Sequence, residues 1–70
     1  MCLSSVYIDS DGQREEVMRD VAKMEAKGNG FVLIGLLGEQ KFIQGKVIRL
    51  DFVDTHSVVL KKGTSRVSQL

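Results

Sequence analysis

The chain has 70 residues, 43% hydrophobic and 27% charged, and ten Lys and Arg against nine Asp and Glu leave a net charge of +1. That length allows one domain, and the balance is globular, since a disordered chain is more polar or more lopsided in charge. No apolar run approaches the ~18–20 residues of a membrane-spanning helix. Met1 to Ser5 lacks the basic flank and apolar block of a signal peptide, so the expected compartment is the cytoplasm.

Leu3 to Ile8 reads as a short strand, and Ser10-Asp11-Gly12 as a turn in which Gly12 is free to take positive φ. Gln13 to Lys27 carries two conflicting patterns. Val17, Val21 and Met24 stand at helical spacing, Glu15 and Arg19 form an i,i+4 pair, and Gly28 could follow a helix end. Against this, Ala22, Met24 and Ala26 alternate with Lys23, Glu25 and Lys27, the period of a half-buried strand. Local propensity leans towards helix, and the residues leave both open.

Gly28-Asn29-Gly30 is a tight turn between extended stretches. Phe31 to Leu37 reads as a strand, with Gly35 marking a bulge or bend. Gly38-Glu39-Gln40 turns the chain, Lys41 to Gln44 makes a short strand, and Gly45 marks a second bend. Val47, Ile48, Leu50, Phe52 and Val53 form a longer strand that breaks at Asp54-Thr55-His56, and Ser57 to Leu60 is the last. Turns recur about every ten residues, as in small sandwiches and barrels. Phe31, Phe42 and Phe52 are expected in the core. The domain is expected over residues 1–61, with 62–70 a flexible, basic tail.

Little of the sequence suggests catalysis. His56 lies beside Asp54 in a turn, and a solvated turn residue is the simpler reading than part of a triad. Glu15-Glu16 is a solvated pair rather than an acid/base couple. Gly28-Asn29-Gly30 is no dinucleotide fingerprint, because Leu33 stands where the third glycine would be. Lys41, Phe42, Lys46, Arg49, Lys61, Lys62 and Arg66 offer the ingredients of an RNA-binding barrel face. A net charge of +1 is a weak footprint for a nucleic-acid binder, so this reading is disfavoured.

Cys2 is the informative residue. It is the single cysteine and His56 the single histidine, which excludes an intrachain disulfide and a zinc finger. A core of this size rarely supplies more than ~3–5 kcal/mol, so a partner subunit or metal is expected. Composition favours Cys2 as a small apolar side chain at a strand start. Its position favours a ligand. The thiol lies next to the α-amino group and the first backbone amides. Removal of Met1 would let amine and thiolate close a five-membered chelate; retention would leave thiolate and amide donors. Planar nitrogen and thiolate donors suit Ni(II) or Cu(II). One chain supplies too few, whereas a twofold axis could bring two Cys2 thiolates to one ion.

Met1-Cys2-Leu3-Ser4 with Val6-Tyr7, the block Asp20-Val21-Ala22-Lys23-Met24-Glu25-Ala26-Lys27-Gly28, then Leu37-Gly38-Glu39, Phe42, Gly45, Val47 and Leu50-Asp51 together resemble the CooT family of small nickel-binding proteins. The likeness runs from Met1 to Leu60. It implies an all-β, Sm-like or SH3-like barrel of about six or seven short antiparallel strands, so Gln13 to Lys27 should be strand. It implies a homodimer holding one Ni(II) through Cys2 of each chain, with the backbone nitrogens of Cys2 and Leu3 as possible co-ligands. It further implies a metallochaperone or nickel carrier, not an enzyme, whose client is a nickel enzyme such as carbon monoxide dehydrogenase. The family's earlier description as RNA-binding makes an Sm-like RNA-binding module the alternative.

Overall fold

The computed structural model describes residues 3–63. Five strands follow one another: β1 (Ser4–Ser10), β2 (Gln13–Lys27), β3 (Gly30–Gly35), β4 (Gln40–Asp51) and β5 (Ser57–Lys62). Neighbours in sequence pair antiparallel, and β1 also pairs with β5 in parallel, which closes the barrel. The all-β expectation holds, but with five strands rather than six or seven and with one parallel ladder. Gln13–Lys27 is a single strand of 15 residues, and Gln40–Asp51 a single strand of 12. The last strand runs through Lys62, and most of the expected tail, 64–70, lies outside the described residues, as do Met1 and Cys2.

Each long strand serves two neighbours. The first half of β2 pairs with β1 and the second with β3; the two ladders meet at Val21, which faces both Ser4 and Gly35. Asp20, with φ of 56°, turns the strand there. Residues Gln40–Gln44 of β4 pair with β3, and Gly45–Asp51 pair with β5. Gly45 sits at that change of partner because a side chain would not fit: a Cβ there would stand 2.5 Å from the Lys61 carbonyl oxygen.

Val6, Val21, Leu33, Val58 and Leu60 form the core, with Val6, Leu33 and Leu60 wholly enclosed. Ile8, Val17, Met18, Met24, Phe31 and Ile43 pack around them. Of the three phenylalanines expected inside, Phe31 reaches the core. Phe42 and Phe52 do not, being 51% and 67% exposed. Phe42 is opposite Val32, one position out of phase with the Phe31–Ile43 pair that points inward. Phe52 lies beyond the end of β4, in the loop to β5.

Candidate metal centre

β1 begins at Ser4, two residues after Cys2, and this start is held on both sides. Ser4 pairs with Val21 of β2. The Ser5 N–H donates to the His56 carbonyl at 3.1 Å, and Ser5 pairs with Ser57 of β5. Half-buried Leu3 immediately precedes the strand. The chain therefore enters the barrel beside the β4–β5 loop and the middle of β2.

An apolar pocket of about 300 Å³ opens at this entry. Val6, Val21 and Val58 form its floor, Ser4 lies on its edge, and Val47, Leu50 and Phe52 wall it from β4 and its loop. The loop beyond is rigidly built. Asp51 Oδ1 accepts from the Val53 N–H at 3.0 Å and the Asp54 N–H at 2.9 Å. Hydrogen bonds first from Asp54 and then from Val53 hold the Asp51 carboxyl below its ordinary pKa. This arrangement projects Phe52 and Val53 into solvent.

The β3–β4 loop follows the same plan. The Leu37 N–H donates to Glu39 Oε1 at 3.0 Å, the Gly35 N–H to the Glu39 carbonyl at 2.8 Å and the Leu36 N–H to the Asp20 carbonyl at 3.1 Å. Leu37 is 88% exposed as a result. Both loops border the strands that flank the start of β1, because Gly35 pairs with Val21 and Ser57 with Ser5.

Among the described residues no three His, Cys, Asp or Glu come together. His56 is at the rim with a φ of 49°, and its carbonyl is used by Ser5. It has no carboxylate–hydroxyl relay of the triad type: Thr55 and Ser57 bond each other at 2.7 Å, and Asp51 serves the loop amides.

The basic residues noted in the sequence divide into two groups. Lys46, Arg49 and Lys61 lie on the outer face of β4 and β5, where Lys46 pairs with Lys61 and Arg49 with Val59. Phe42 instead borders a groove of about 720 Å³ between the β1–β2 hairpin and β4, with Lys62 and Gly63. Lys41 and Phe42 also line a recess beside the β2–β3 turn. Phe42 thus stands among cations in both hollows, and Tyr7, which pairs with Val59, lies in the row of Arg49. Arg66 lies outside the described residues.

Together, the described residues define a small five-stranded β-barrel with an apolar pocket at the rim where the chain enters. Comparison with known families makes the class specific: the family described as CO dehydrogenase accessory protein CooT matches residues 1–61, and the chain belongs to that family. It is similar in structure to a crystal structure of a candidate CooT from Carboxydothermus hydrogenoformans, with a TM-score of 0.81 and 28% identity over 90% of this chain and 100% of that one. No protein of curated function matches the chain. Among the described residues no helix is long and apolar enough to cross a membrane.

Proposed function

We propose that this protein is a cytoplasmic nickel carrier for the maturation of carbon monoxide dehydrogenase, working as a homodimer that holds Ni(II) between the Cys2 thiolates of its two chains. The family match through residue 2 is the observation that carries this reading. The barrel supports it in one way. The segment bearing Cys2 enters beside an apolar pocket whose walls, Val47, Leu50 and Phe52, remain 37%, 51% and 67% exposed. A second copy seated on this rim would bury those walls and bring a second thiolate to the first. The nickel is cargo: the protein binds it and passes it on, and the backbone nitrogens of Cys2 and Leu3 complete the donor set.

Thiolate ligation fixes the sign of the pH dependence. A free thiol titrates near ~8.5, and the metal must displace its proton. Nickel affinity therefore rises from pH 6 to pH 8. The test is a Ni(II) titration of freshly reduced protein and of Cys2→Ala, followed by absorption and by sizing. The expected result is saturation near one nickel per two chains, with thiolate-to-nickel charge-transfer bands that disappear in the variant while the fold persists. Binding unchanged in Cys2→Ala, or affinity flat across that pH range, would rule out the thiolate. RNA affinity falling steeply with salt would then favour the Sm-like alternative.

A further inference from the structure

The outer face of β1, β4 and β5 carries a second concavity, which the nickel reading leaves unused. It measures about 230 Å³ and is lined by Tyr7, Arg14, Arg49, Thr55, Ser57 and Val59. The register explains its construction. Val59 pairs with Tyr7 on one side and Arg49 on the other, so the three form one row across three strands. Val59 is 2% exposed yet stands apart from the core cluster. Its neighbours Val58 and Leu60 point inward, so it points outward and forms the floor. Arg49 reaches this row through a bulge. Val47 pairs with Leu60 and Arg49 with Val59, leaving Ile48 as the extra residue. Bulges of this kind re-aim a side chain and cluster near binding sites.

The lining is a set of hydrogen-bond donors. Two guanidiniums and the Tyr7 hydroxyl meet there with Thr55 and Ser57, whose hydroxyls bond each other at 2.7 Å and keep one proton to offer, and no carboxylate lines the space. The guanidiniums are loosely held: Arg14 faces Asp9 at 3.5 Å and Arg49 faces Asp51 at 3.8 Å, both beyond ordinary N–H···O length. Asp51 is already committed to the amides of its own loop. In the next row Lys46 and Lys61 stand directly opposite each other, a like-charge pair that costs stability unless an anion lies near. Asp9 pairs with both Lys61 and Arg14, and Glu16, opposite Tyr7 at the far end of the row, is held by Arg19 at 3.0 Å, so the cations nearest the concavity are Arg14 and Arg49.

We propose that this concavity binds the phosphate group of a small phosphate ester. Two guanidinium forks and the hydroxyls would surround the oxyanion. The Tyr7 ring would offer a flat wall to the group that carries it. A phosphate could come free, on a mononucleotide or on an RNA backbone, and the test separates these sources.

Amide chemical shifts of the full chain would be followed during titration with inorganic phosphate, adenosine monophosphate and a short single-stranded RNA at constant ionic strength. The expected result is saturable shifts at Tyr7, Arg49, Ser57 and Val59 with phosphate and with the mononucleotide, the latter binding more tightly. Arg49→Gln and Arg14→Gln, both at exposed side chains, should each weaken binding about tenfold, the loss of one charge-assisted contact, with spectra otherwise unchanged. Shifts scattered over all the surface lysines, affinity unaltered in both variants, or a response to RNA alone would each overturn the site. Nickel loading plays no part in the readout.

Discussion

At the scale of single residues, Asp51 does the most with one side chain. Its carboxylate caps the turn after β4 by accepting the N–H groups of Val53 and Asp54, and those bonds set how Phe52 and Val53 are displayed. An acidic residue whose N–H partners lie two and three positions on is a readable turn signal. The sequence reading placed the break at Asp54-Thr55-His56 because Phe52 and Val53 look like strand residues. The bonds to Asp51 stabilise its charged form, so its folded pKa lies below its unfolded value. The contribution is therefore present above the unfolded value of ~3.9 and lost as pH falls through the lower folded one. Acidification from about pH 5 to about pH 3 should lower the protection of the Val53 and Asp54 amides, each rate taken relative to its intrinsic rate at the same pH, before the core amides of Leu33 or Leu60 lose protection. Asp51→Ala should show the lowered protection already at pH 7. Equal loss of protection in loop and core would mean that the turn has no stability of its own to lose.

At the scale of elements, β2 shows why the sequence was ambiguous there and how packing resolved it. Its shielded positions are Val17, Met18, Val21 and Met24, which is helical spacing on a strand. The spacing arises from three irregularities. Ser4 pairs with Val21 and Val6 with Met18, so the intervening segment of β2 is one residue longer than its β1 counterpart. A second shift follows between Val6 and Tyr7, and a third between Val21 and Lys23 on the β3 side. Each extra residue advances the inward phase by one, and the resulting pattern imitates a period of 3.6. The alternation of Ala22, Met24 and Ala26 with charged residues points to strand and the spacing of Val17, Val21 and Met24 to helix; the family resemblance decides for strand where periodicity cannot, because periodicity assumes an unbroken pleat. Asp20 marks the bend. Its left-handed backbone is one that Asp and Asn tolerate and β-branched residues do not. Asp20→Gly should hold or raise thermal stability, and Asp20→Val should lower it by about 1–2 kcal/mol in denaturant titrations. Equal stability of the two would show that the bend is imposed from outside the residue.

For the whole molecule, the distribution of apolar side chains says more than the core alone. Among the described residues six hydrophobic ones are buried, while eight large ones remain exposed: Leu36, Leu37, Phe42, Val47, Ile48, Leu50, Phe52 and Val53. Length alone suggests a partner subunit or a metal, but where a partner would sit is not legible, because Phe52 reads as core and the fold instead places it on the pocket wall beside Ser4. Cys2 is singled out by its position alone, and a site of the proposed kind, with one ligand from each of two chains, would leave no spacing motif to read. If the rim is the dimer surface, a charge placed there should separate the chains without unfolding them. Phe52→Asp suits the purpose, since Phe52 is 67% exposed and contributes little to the interior. In sedimentation at concentrations where the parent chain is dimeric, this variant should run as a monomer. Its thermal midpoint should lose the concentration dependence that a dimer shows. Cys2→Ala should remain dimeric, since it removes the ligand and leaves the apolar walls intact. A dimeric Phe52→Asp that still binds nickel through Cys2 would move the interface off this rim. A monomeric one that has lost nickel would tie the metal to the contact between the two chains.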